Sequence, residues 1–152
     1  MGKILISRCL MGDNCRYDGG NNLVPELKAL YERGLAVPVC PEQLGGLPTP
    51  RTPSEIAEER VVTKDGRDVT DNFRSGAERA LAIGLAQGCT CAVTKAKSPS
   101  CGCGTVYDGT FTGTLVPGDG IFIRLLKENG IPVCTEKDDW QSVIGAFPDQ
   151  TE

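Results

Sequence analysis

The sequence predicts an α/β fold: a mostly parallel, Rossmann-like sheet flanked by helices, with short hairpins, in one domain over residues 1–152. Three observations lead there. Short runs rich in Val, Ile and Ala alternate along the chain with longer stretches of helical periodicity. Gly, Pro, Asn and Asp cluster at the boundaries between them. No linker or low-complexity tract divides the 152 residues, which are enough for one proper core.

The elements follow in order. KILISRC reads as the first strand and MGDNCRYDGGNN as a turn-rich loop. LVPELKALYERG reads as a helix: Leu27, Leu30 and Tyr31 share a face, Pro25 sits in the first turn and Gly34 ends it. LAVPVC is the second strand. The stretch EQLGGLPTPRTPSE has three prolines and two glycines and is too broken for regular structure. EERVVTKDGRDVT suits a hairpin turning at Asp65-Gly66, because both turn residues need positive φ there.

A second helix starts near Thr70 or Asp71. It carries Phe73, Ala77, Ala80, Leu81 and Leu85 at helical spacing, with Gly88 as its stop. CAVTKA is the third strand and leads into KSPSCGCG. VYDGTFTG reads as another hairpin with an Asp108-Gly109 turn, and Asp119 is placed to cap the helix GIFIRLLKENG. IPVCTE is the fourth strand, before a short helix around DDWQSVIG. Strands separated by helices of this length imply parallel pairing. One faint echo stands out: VPVCPE and IPVCTE each place a Glu two residues after a strand-end Cys, too short a likeness for a repeat.

Composition narrows the chemistry. The net charge is −4, the pI is near 4.9 and no basic stripe appears, so neither a polymeric nucleic acid nor a membrane is an expected partner. No apolar run reaches membrane-spanning length, the start lacks the pattern of a signal peptide, and a cytoplasmic location is expected. Histidine is absent, which removes Ser-His and Cys-His catalytic pairs and mixed Cys/His zinc sites. Proton transfer must then use Asp, Glu, Lys, Tyr, Cys, Ser or water.

Eight cysteines in a reducing compartment read as metal ligands or reactive thiols before disulfides. Cys9, Cys40 and Cys101 each follow an apolar, strand-length run and precede turn residues. Ligand sites in open α/β sheets form outside the carboxyl ends of strands, so these thiols are expected at one sheet edge, as a centre held by three thiolates requires. The paired spacings Cys89/Cys91 and Cys101/Cys103 match neither zinc ribbons nor ferredoxin-type runs. Cys89, Cys91 and Cys134 read as small core hydrophobes, while Cys15 and Cys103 stay open between ligand and bystander.

Around Cys40, Glu42 is placed to act as an acid or base, and Arg51 to clamp an anion or a carbonyl; solvated loop roles are the bland alternatives. KAKSPSCGCG sets Lys95, Lys97, Ser98 and Ser100 around Cys101, where cations and turn N–H groups favour a thiolate. Arg16 and Tyr17 lie in a Gly-rich loop that suits either a substrate-facing surface or a compact Asx turn.

Taken together and in order, CLMGDNCRYDGG, VCPEQLGGLPTPRTPSE, GRDVTDNF and KAKSPSCG resemble the thiouracil desulfidase family over nearly the whole chain. That resemblance implies a small α/β enzyme with a [4Fe-4S] cluster on three cysteines, which match Cys9, Cys40 and Cys101, and a fourth iron open to the sulfur of a thiolated nucleobase. It also implies Glu42 and Ser98 or Ser100 as nearest proton-transfer or substrate-positioning groups. Arg16, Tyr17, Arg51 and Lys95 are the residues expected to face a small thiolated pyrimidine. The expected reaction replaces thiocarbonyl sulfur by water oxygen and releases sulfide without net redox. A cysteine persulfide carrier needs only one low-pKa thiol. A structural or electron-transfer module needs a fourth thiolate from Cys15, Cys103 or Cys134.

Overall fold

The structure, a computed structural model, describes residues 2–145, so the last residues of the expected 1–152 domain lie outside it. In chain order it contains β1 (Lys3–Ser7), a 3₁₀ turn (Arg8–Met11), α1 (Pro25–Glu32), β2 (Ala36–Val39), α2 (Pro41–Leu44), β3 (Ser54–Ala57) and β4 (Arg60–Thr63). Then follow α3 (Thr70–Ala86), β5 (Cys89–Thr94), β6 (Thr105–Tyr107), β7 (Leu115–Pro117), α4 (Ile121–Glu128), β8 (Val133–Thr135) and α5 (Trp140–Gly145).

The central sheet has the order β2-β1-β5-β8 and every pairing is parallel. Its apolar runs are continuous because both faces are covered. Ile4 and Ile6 of β1 pack with Leu10, Leu27 and Trp140 on the α1 and α5 side. Leu5 faces the opposite way, onto Ala77 and Ala80 of α3 and Phe122 and Leu126 of α4. Each such buried Leu, Ile or Phe contributes roughly 1.5–3 kcal/mol, so the helices on its two faces hold the sheet in place. The chain leaves β1 to pair β2 on one flank and later returns to pair β5 on the other. That reversal opens a crevice outside the carboxyl ends of β1 and β5, where open α/β sheets bind ligands.

Several expectations need correcting. The Pro-rich stretch after Cys40 is not wholly irregular: it holds α2 and then β3, which pairs antiparallel with β4 through a turn at Glu58 and Glu59. Asp65-Gly66 does form a tight turn, with Gly66 at φ +90°, but it follows β4 and closes only the narrow Val62–Asp68 bridge. Asp119 does not cap α4; Gly120 occupies that position, while the Asp119 carboxylate accepts from the Gly104 N–H and pairs with Lys127. The second hairpin returns at Leu115–Pro117, past a broad 108–114 loop. Tyr31 and Leu85 are exposed, since each helix buries a narrower stripe than its periodicity suggests. Among the described residues no helix is long and apolar enough to cross a membrane.

Candidate metal centre and active site

A cavity of about 590 Å³ opens at the carboxyl edge of the sheet, and Cys9, Cys15, Cys40 and Cys101 all line it. Cys9 lies in the 3₁₀ turn directly after β1, Cys40 directly after β2, and Cys101 in the loop after β5. Adjacent parallel strands thus deliver three thiols from distant parts of the sequence to one place.

The loop after β1 folds back on Cys9. Its carbonyl accepts from the Gly12 and Asn22 N–H groups, and the Asn22 side-chain amide donates to its sulfur at 3.6 Å. Arg16 holds Asn22 in turn, at 3.2 Å, and pairs with Asp18. Cys15 sits between the other two sulfurs. Its single S–H has Cys40 and Cys9 as alternative acceptors, which raises its own pKa and lowers both of theirs. For Cys9 the Asn22 amide and the Lys95 charge add to that effect. The Cys40 thiol is brought down to about 7, with further help from the Gln43 N–H and the Arg51 charge. Cys101 is the opposite case: burial pushes its thiol up to about 12, against hydrogen bonds from Ser7 and Ser100. A buried thiol of that kind is stable as a thiolate only beside a compensating cation.

Glu42 stands in the first turn of α2, one residue past Pro41. Its Oε1 accepts from Arg51 Nε at 3.0 Å, and its Oε2 accepts from Ser100 Oγ at 2.9 Å. Ser100 Oγ lies 3.0 Å from Ser98 Oγ and 3.6 Å from the Cys101 sulfur. Ser98 Oγ also accepts the Ser100 and Cys101 N–H groups, which winds the loop tightly around it. A carboxylate, a second hydroxyl and a thiol therefore converge on Ser100 Oγ at the cavity wall.

The expected three ligands, proton-transfer groups and substrate-facing residues all line this cavity, though not in the same manner. Tyr17 is 44% exposed at its mouth, where a flat ring can meet a ligand. Arg51 turns inward: its guanidinium donates to Glu42, the Pro48 and Cys15 carbonyls and Thr49 Oγ1, and its side chain is 7% exposed. Its donors join the Cys15 and Glu42 segments, which leaves little of it for a ligand. Lys95 pairs with Glu136 across the sheet edge. Cys89, Cys91 and Cys134 are core residues whose thiols burial raises to about 11, 12 and 11. Cys103 packs against β8 and α4 and, like Cys134, lies outside the cavity.

Sequence reasoning missed Ser7, Asn22, Glu55 and Phe111. Ser7 and Asn22 touch Cys101 and Cys9. Glu55 accepts the Gly109 and Phe111 N–H groups and so draws the 108–114 loop over the cavity. A polar Ser closing an apolar strand was the one available signal; the Glu55 contact is purely tertiary.

The donor set favours soft-metal chemistry, with thiolates in place of imidazole. Among the described residues no three Cys, Asp or Glu side chains close around a point as ligands of a single ion do. Cys9, Cys40 and Cys101 instead line one cavity, near enough for each to feel the others' charge. That arrangement fits a multi-iron cluster.

Known proteins show the same pattern. A family described as 2-thiouracil desulfurase matches residues 4–138. A Bacillus subtilis (strain 168) relative described as uncharacterized protein YbbK is 38% identical over 145 residues, spanning 89% of this chain and 96% of the relative. A solved structure titled [4Fe-4S]-dependent thiouracil desulfidase TudS superposes with a TM-score of 0.90 at 44% identity, covering 96% of this chain and 98% of that one.

Proposed function

This chain belongs to the 2-thiouracil desulfurase family, and from that premise we propose that it removes sulfur from a thiolated pyrimidine such as 2-thiouracil, releasing sulfide and the oxo base. Water supplies the oxygen, and the thiocarbonyl becomes a carbonyl with no net change of oxidation state. Cys9, Cys40 and Cys101 hold a [4Fe-4S] cluster, whose chemistry when bound is Lewis-acid polarisation at an iron without a protein ligand. Cys15 remains a thiol whose one proton serves Cys40 or Cys9, rather than a fourth ligand.

The observation that carries the reading is the placing of Ser100 Oγ between Glu42 and Cys101, within hydrogen-bond reach of each. Glu42, held by Arg51 and Ser100, takes the proton of the attacking water, the role for which a histidine-free site has a carboxylate at hand. Ser98 and Ser100 orient that carboxylate and offer hydroxyl donors to the departing sulfur's side of the cavity. Tyr17 and Lys95 face a small aromatic ligand from the cavity wall.

The deciding experiment is an anaerobic sulfide-release assay over a panel of thiolated pyrimidines, with iron and sulfide content measured on the same sample and no reductant added. Stoichiometric sulfide and oxo base are expected. An intact cluster with no release from any thiopyrimidine, or a need for an electron donor in each turnover, would reject the hydrolytic reading. A persulfide carrier would show neither iron nor sulfide release from a thiopyrimidine, only a single reactive thiol.

A further inference from the structure

The echo between VPVCPE and IPVCTE acquires a physical meaning in three dimensions. The two segments are the edge strands β2 and β8, and β5 lies inside the sheet with the Ser98–Cys101 loop at its end. Glu42, after β2, grips the far part of that loop at Ser100. Glu136, after β8, grips its beginning: Oε1 accepts the Ala96 N–H at 2.8 Å, and Oε2 pairs with Lys95 Nζ at 3.1 Å. The Glu136 side chain is 8% exposed, yet it does not line the cavity. Cys134, the counterpart of Cys40, points into the core instead, so the echo keeps its carboxylate and not its thiol.

The loop needs such an anchor. Lys97 is held at φ +69°, a left-handed conformation that costs of order 1–3 kcal/mol for a residue with a side chain and persists only where its neighbours fix it. Ala96, directly before it, is tied by Glu136 alone on its N–H side, while Lys95 N–H is tied to Ser7 Oγ. We propose that Glu136 is a positioning residue for desulfidation: from outside the cavity it fixes Lys95 and Ala96, and so presets Ser98, Ser100 and Cys101. The role rests on the function proposed above.

The test compares Glu136→Ala with Glu136→Gln in the full chain, purified anaerobically. The glutamine oxygen still accepts from Ala96 N–H but cannot pair with Lys95. Backbone hydrogen exchange over 95–102 and over β8 is read beside iron content, kcat and KM for sulfide release from 2-thiouracil. Glu136→Ala should lose loop protection by about tenfold while β8 keeps its own. Its kcat should fall about tenfold or more, the scale of small misplacements in an active site, with KM within about threefold. Glu136→Gln should recover most of both. Unchanged loop protection in Glu136→Ala, loss spread equally over β8, or a Gln variant as damaged as Ala would overturn the proposal. Should Glu136→Ala fail to fold, a Gln variant with wild-type protection and kcat supports anchoring, and one without them refutes it. Wild-type protein that releases no sulfide would defeat the functional reading, while the exchange data still decide whether Glu136 anchors the loop.

Discussion

Replacing Gly76 by alanine should displace Glu42 without touching it. α3 crosses α2 so closely that a Cβ on Gly76 would stand 1.8 Å from the Pro41 carbonyl oxygen and 2.9 Å from the Gly45 nitrogen. Ordinary contact begins at 3.4 Å, so α2 must retreat by about 1.6 Å, and no side-chain rotation helps because both obstacles are backbone. Glu42 rides on α2 and holds Ser100 at 2.9 Å and Arg51 at 3.0 Å. Neither hydrogen bond survives a displacement of that size. Overpacking of this kind costs about 1–3 kcal/mol, against which alanine regains about 1 kcal/mol of helix propensity. The melting temperature should therefore drop by only a few degrees, about 0–8 °C. The rate should suffer more, by about 10²-fold, because the reacting groups lose their alignment. Thermal melts and anaerobic sulfide release from 2-thiouracil measure the two effects, with Glu78→Ala on the exposed face of α3 as the control. Wild-type kcat in Gly76→Ala would refute the claim that the α2–α3 contact sets Glu42.

Three further outcomes follow from the site. Glu42→Gln preserves size and polarity but removes the titrating group; it should keep its iron and lose about 10²-fold or more in rate, and normal turnover would move the proton transfer to the serines or to water. Cys9→Ser, Cys40→Ser and Cys101→Ser should each lose most iron in anaerobic iron and sulfide analysis, whereas Cys89→Ser should not; full iron in Cys40→Ser would overturn the ligand set. In cluster-free protein, Cys40 has a thiol lowered to about 7, so its alkylation should rise through about pH 7 and level off above it, while an ordinary thiol is still climbing near its usual value of about 8.5. Cys101, raised to about 12 by burial, should stay unreactive over that range; mass-spectrometric peptide mapping against pH reads both, and a Cys40 midpoint above 8.5 would contradict the Cys15 and Gln43 hydrogen bonds.

Much of the architecture was legible because it depends on local patterns. β1 shows as KILIS, with Ile4, Leu5 and Ile6 apolar in succession because both faces of an interior parallel strand are covered, and Gly34 and Gly88 mark helix ends with φ of +77° and +76°. The misreadings share a cause. Asp119 has the residue type of a cap, but the Gly104 N–H and Lys127 compete for its carboxylate and win. β3 hides in a Pro-rich stretch because Ile56 shows its value only when buried with Val61 and Phe73 of the later elements.

The sequence by itself determined the parallel sheet and the placing of Cys9, Cys40 and Cys101 at strand ends, since hydrophobic periodicity and turn residues act over a few positions. It also determined the absence of imidazole, and with it the reliance on thiolates and carboxylates. Only the tertiary structure decided what those residues do to each other. It put Cys15 between two sulfurs, turned Arg51 inward onto Glu42, and set Glu42 and Glu136 at opposite ends of one loop. Hydrogen bonds and charge act over a few ångströms of space, and distance along the chain carries almost no information about distance between residues 42, 100 and 136.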